Sequence, residues 1–100
     1  MTSPRLHPAA EQELVAAVAW YEARATGLGQ RFLAVIHEVL PQIGRTPLRY
    51  ALWSQNTRFR RAVVPGFPFA IYYLVGETQV TVIALAHTSR RPGYWQDRRP

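Results

Sequence analysis

RFRRAVVPGFPFAIYYLVGETQVTVIALAHTSRRPGYW, residues Arg58 to Trp95, decides the fold. Two turn signals, Pro65-Gly66 and Gly76-Glu77, cut it into three extended runs. The first is Arg58–Val64. At a period of two, Phe59, Arg61 and Val63 share one face, and Arg58, Arg60, Ala62 and Val64 share the other. The second starts at Phe67 or Phe69 and ends at Val75; it is aromatic, β-branched and uncharged. The third, Gln79–Ala86, is the most apolar, which suits a central strand with both faces covered. His87 closes it, Thr88–Trp95 reads as a loop, and Gln96–Pro100 as a charged tail.

Upstream the period changes to that of a helix. Leu14, Val18, Tyr21 and Ala25 recur at spacings of three and four, predicting a helix from Ala9 to about Ala25 with Pro8 at its first turn. Glu11 and Glu13 favour its N-terminal dipole. Gly27 and Gly29 predict a short turn into a second helix, Gln30 to Arg45, with Phe32, Val35 or Ile36, Val39 and Ile43 as its apolar stripe. Pro41 inside it predicts a kink or break near Leu40. Gly44–Pro47 reads as a linker, Arg49–Trp53 as a strand or an extended approach to one, and Ser54-Gln55-Asn56 as a turn. Residues 3–7 are a candidate edge strand. The expected architecture is one α+β domain over residues 1–100: an N-terminal helical hairpin (9–45) packed on a small, mainly antiparallel sheet (49–87), followed by a basic, aromatic loop and tail (88–100).

Composition narrows the function. Hydrophobic residues are 48% and charged residues 18% of the chain, a globular balance. Without cysteine there is no disulfide, thiol nucleophile or thiolate metal site. The first residues show no secretory h-region, and no apolar run is long enough to span a bilayer, so a cytoplasmic location is expected. The net charge of +6 is one-sided. Arg5, Arg24, Arg31 and Arg45 are balanced by Glu11, Glu13, Glu22 and Glu38, whereas residues 48–100 hold eight arginines against Glu77 and Asp97. There is no lysine. A codon bias accounts for missing lysines but not for this segregation. A one-sided arginine field suits a polyanionic partner, a nucleic acid or an acidic protein segment.

Several short motifs in order carry a resemblance: WYE at Trp20–Glu22, GLG at Gly27–Gly29 followed by Phe32, Pro47 with Tyr50, RR at Arg60–Arg61, FPFAIYY at Phe67–Tyr73 and AHTSRRPGYW at Ala86–Trp95. From about Leu6 to Arg98 the chain resembles the RelE/ParE superfamily of toxins from type II toxin–antitoxin systems, nearest to the ParE-like, plasmid-stabilisation branch. The resemblance implies a helical hairpin on a small antiparallel sheet and a cognate antitoxin with an acidic segment. RelE-like members cut messenger RNA on the ribosome; ParE-like members poison DNA gyrase.

Metal-free RNA cleavage needs a base for the 2′-hydroxyl, an acid for the leaving oxygen and a cation for the phosphorane. Arginine serves only the last. His87 is the one histidine of the basic half, with Tyr94 as its only neighbour suited to proton transfer. In that reading His87 and Tyr94 are catalytic, and Arg58, Arg60, Arg61, Arg90, Arg91 and Trp95 bind phosphate or stack a base. The alternative keeps the same arginines as contacts to an acidic antitoxin or target, with His87 a strand-end anchor, Tyr94 and Trp95 packing anchors, and Arg60 or Arg61 paired to a helix carboxylate such as Glu22. Neither reading requires a cofactor. His37-Glu38 lacks the second histidine of a zinc helix motif. The leading expectation is a ParE-like toxin acting by protein–protein contact, and the second a ribosome-dependent endoribonuclease.

Overall fold

A computed structural model describes residues 3–100; residues 1 and 2 of the expected single domain lie outside the described residues. The elements are β1 (Arg5–Leu6), α1 (Pro8–Arg24), α2 (Leu28–Arg45), a 3-10 turn (Pro47–Arg49), β2 (Arg60–Val63), β3 (Phe69–Val75) and β4 (Val80–His87). The strands form one mixed sheet in the order β1-β4-β3-β2. The meander β2-β3-β4 is antiparallel, and β1 lies parallel to β4 through Arg5–Thr81 and Leu6–Val82. This is the expected α+β architecture, with the edge strand at residues 5–6 and β4 inside the sheet.

α1 begins where proline is tolerated, and the Nδ1 of His7 accepts the Ala9 N–H at 3.0 Å as its N-cap. The hairpin turns at Gly27, whose φ of 87° suits a residue without a side chain. Glu22 then caps α2, its carboxylate accepting Gly27 N–H at 2.8 Å and Gly29 N–H at 3.0 Å. A negative charge at a helix N-terminus satisfies free donors and opposes the dipole. Gly29 belongs to α2 rather than to the turn. A β-carbon there would stand 2.5 Å from the Val18 carbonyl oxygen, so only glycine lets the helices approach this closely.

The core on the helical side is built by Tyr21, Phe32, Ile36, Val39 and Ile43 against Ala62, Val64, Ile71, Tyr73, Val82 and Leu85. A second, smaller core lies on the opposite face. There Ala70, Ala84 and Ala86 leave room for Trp53, Phe59, Tyr72 and Trp95. The Tyr72 and Trp95 rings stack with centroids 4.3 Å apart, and Phe59 meets Trp95 edge-on at 4.7 Å. A register shift between β3 and β4 supplies both faces: Tyr72 pairs with Ala84 but Tyr73 with Val82. Ile83 is the extra residue, so Ile83 and Ala84 both serve the second core while Val82 and Leu85 both serve the first.

β1 covers only the first part of β4. Beyond it, the edge of β4 is closed by side chains. Leu85 N–H donates to Glu13 Oε1 at 3.1 Å, and Arg98 Nη1 donates to the Ile83 carbonyl at 3.1 Å. Arg98 grips the same carboxylate at 2.8 and 3.1 Å, and the Tyr94 hydroxyl donates to Glu13 Oε2. One carboxylate therefore binds α1, β4 and the tail together. Edge strands left unpaired are aggregation sites, and this arrangement removes part of that hazard.

Four expectations are corrected. α2 runs through Pro41 to Arg45 without a break. Val39, Ile43 and Gly44 stay packed on either side, and the donor that Pro41 lacks would have served the carbonyl of His37, a residue on the exposed side of the helix. Residues 49–53 form no strand beyond a single bridge from Leu52 to Arg60. They make an extended approach instead: Ala51 O accepts Arg61 N–H at 3.0 Å and Trp53 N–H donates to Phe59 O at 2.8 Å, while Tyr50 O is taken by Arg60 Nη1 at 2.7 Å. β2 is four residues long because Asn56 accepts Arg58 N–H through its side chain and Phe59 N–H through its carbonyl, making a turn there. Glu22 pairs with neither Arg60 nor Arg61, because it caps α2.

Truncating Glu13 to alanine strands Arg98, the Tyr94 hydroxyl and the Leu85 amide together. Glu13→Ala is expected to lower the unfolding free energy by about 3 kcal/mol in urea titrations, against at most about 0.5 kcal/mol for Glu11→Ala on the same helix's exposed face. Gly29→Ala is expected to cost about 2 kcal/mol in the same measurement, through overpacking between the helices.

Candidate functional site

The strand alternation that places the cores also places the basic residues, and it separates them. Arg60 lies opposite Tyr73 and Arg61 opposite Tyr72, so they occupy opposite faces of β2. Arg60 points to the helical side and is consumed as a clamp on Tyr50 O, with a longer contact to Leu48 O at 3.4 Å. Arg61 points to the other side. Its Nε donates to Tyr72 Oη at 3.1 Å, and the rest of its guanidinium faces a groove of about 510 Å³ lined by Leu52, Ser54, Thr88 and Pro92.

His87 pairs with Phe69 at the far end of β3, roughly 13 Å along the strand from the Arg60–Tyr73 pair at about 3.3 Å per residue. Its ring meets Phe69 edge-on at 5.2 Å and faces the helices, away from Arg61. The Nδ1 of His87 lies 3.0 Å from the Ser89 amide and 2.7 Å from Ser89 Oγ. An amide only donates, so Nδ1 accepts and the neutral ring carries its proton on Nε2. No carboxylate is among the hydrogen-bond partners of His87.

The remaining candidates fall elsewhere. Arg58 is exposed at the opposite end of the sheet, over the Phe59 ring at 5.4 Å. Arg90 stacks on the Tyr94 ring at 4.4 Å and, with His87, lines a slot against α1. Arg91 is exposed. Trp95 is 1% exposed inside the second core and has no ring face to offer a base, which corrects its assignment as a binding residue. Among the described residues, His87 and Arg90 line one cavity together. Among the described residues, no three His, Cys, Asp or Glu side chains gather as a metal site, and no helix is long and apolar enough to cross a membrane. Glu13 and Arg98, which hold the tail, were not foreseeable: they lie 85 residues apart, and no spacing rule joins them.

A globule of this layout, with a helical hairpin on a four-stranded sheet and a cationic second half, agrees with a comparison to known families. The model of the ParE toxin of the type II toxin-antitoxin system, parDE, matches residues 5–92. The chain belongs to this toxin family. A search of the curated proteins returns no match. As a ParE-family toxin the chain is one half of a pair, with an antitoxin as its partner. The match ends at Pro92, so the tail with Tyr94, Trp95 and Arg98 lies outside it.

In this ParE-family toxin Tyr94 is held in its protonated form. Burial first, then the hydrogen bond to Glu13 and that carboxylate's charge, push its phenol up to about 12, against a smaller opposing pull from Arg90 and Arg98. Burial likewise pushes Tyr73 up to about 12. A phenol at this level does not act as a base at neutral pH. Both folded values lie above the unfolded value of about 10. Their contribution to stability is therefore complete below pH 10 and is lost as pH rises through 12. The unfolding free energy is expected to fall over that window, and Tyr94→Phe to make the fall shallower. A variant that loses stability as steeply as the parent would contradict the placement of this hydroxyl.

Proposed function

We propose that this ParE-family toxin arrests growth in the cytoplasm by binding DNA gyrase, and that an acidic segment of its cognate antitoxin neutralises it. The observation that carries the reading is the dispersal of the proton-transfer and phosphate-binding groups. His87 faces the helices, Arg61 faces the opposite side, Arg60 is spent on main-chain carbonyls, and Tyr94 is protonated against Glu13. Cleaving a phosphodiester requires such groups about one phosphorus atom, within hydrogen-bond reach of its oxygens. Binding a protein has no such requirement. Arginines and half-exposed aromatics spread over several faces are the residue types enriched at protein interfaces.

The test is a supercoiling assay with purified toxin. Micromolar toxin is expected to inhibit gyrase or trap its cleavage complex, and equimolar antitoxin to restore activity. Unaltered supercoiling at that concentration would contradict the proposal.

A further inference from the structure

α1 is apolar nearly all round, although only one side of it packs on the sheet. Its outer face carries Val15, Ala16, Ala19, Trp20 and Ala23, all exposed. A helix of this kind is ordinarily covered on both sides. The feature that stands out on this face is Trp20, 53% exposed. It forms one wall of a slot of about 330 Å³ lined also by Ala17, Tyr21, Phe69, His87 and Arg90. Its rings interlock: Tyr21 is edge-on to both Trp20 and Phe69, and Phe69 to His87.

The rim is cationic. Arg24 lies over the Trp20 ring at 4.1 Å, and Arg90 is itself one of the lining residues. Glu22, two residues from Arg24 on the same helix, turns its carboxylate to the Gly27 and Gly29 amides, and the salt bridge found among the described residues, Arg98–Glu13, involves neither Arg24 nor Arg90. The Ser89 amide holds Nδ1 of His87, leaving Nε2–H as a donor, and none of the hydrogen bonds among the described residues uses it. A mostly apolar slot of this size fits one large side chain, and donors at its rim fit carboxylates.

We propose that the Trp20–Phe69–His87 slot seats one large apolar side chain of the antitoxin's acidic segment, with that segment's carboxylates paired to Arg24, Arg90 and His87 Nε2. This rests on the reading that an antitoxin neutralises the toxin, and it assigns the contact to the outer side of α1 rather than to the Arg61 groove.

Trp53 and Trp95 are 6% and 1% exposed, so acrylamide quenching of the full chain reports almost entirely on Trp20. The probe is the antitoxin from the adjacent reading frame, separated from the co-expressed complex in denaturant and refolded. Adding it is expected to reduce the quenching constant at least about threefold. Trp20→Ala and Arg90→Glu are each expected to weaken binding at least about tenfold by calorimetry, while Leu48→Ala, exposed on the 3-10 turn and away from α1, leaves it unchanged. Binding that leaves Trp20 as quenchable as before, or that tolerates both slot variants, overturns the slot and leaves neutralisation standing. No binding by the parent toxin overturns both.

Discussion

The carboxylate of Glu13 is the constraint on which the rest depends. It sits on α1, accepts an amide from the bulged central strand, and receives Arg98 and Tyr94 from the tail. With β1 only two residues long, β4 would otherwise present unpaired groups beyond Val82. The same carboxylate draws the tail across the second face of the sheet, where Trp95 fills the space left by three alanines. A fully buried ion pair is often no better than an apolar replacement. This one is partly exposed and fully hydrogen-bonded, and its value lies in joining segments more than 70 residues apart.

The parts legible in the sequence were those governed by local rules. Period and turn chemistry locate both helices and the three-stranded meander, and Pro8, Gly27 and Gly76 mark boundaries close to the observed ones. The misplaced parts were those where a distant side chain takes over a backbone group. Residues 49–53 look like a strand, but only Ala51 and Trp53 pair with the backbone at Arg61 and Phe59, and the Arg60 side chain claims the Tyr50 carbonyl. Pro41 looks like a break, but packing on both sides holds α2 together. The site was legible in composition and not in arrangement. Arg60 and Arg61 were expected on opposite faces by simple alternation, and are so. That Arg60 would be absorbed by the main chain, that Trp95 would be buried, and that Trp20 would stand exposed all depend on tertiary contacts that no residue type announces.

Together these placements describe a small protein whose basic half is distributed over surfaces rather than focused on a centre. The face opposite the helices is largely occupied by the chain's own tail, leaving the Arg61 groove at its border. The helical side offers α1, with an exposed apolar outer surface and Arg24 over its Trp20 ring. A toxin in a type II pair engages its antitoxin through its surface, and in this chain the surface is where the uncommitted aromatic and cationic groups remain.

Amide hydrogen exchange at Leu85 tests most directly whether Glu13 stands in for a missing strand. Its N–H points away from β3 and has a side-chain carboxylate as its partner. It is expected to exchange as slowly as the amides of Ala84 and Ala86, which pair with β3, because all three open only with the sheet. Exchange at the rate of the exposed loop amide at Arg91 would show that the edge of β4 is open and that the carboxylate does not close it.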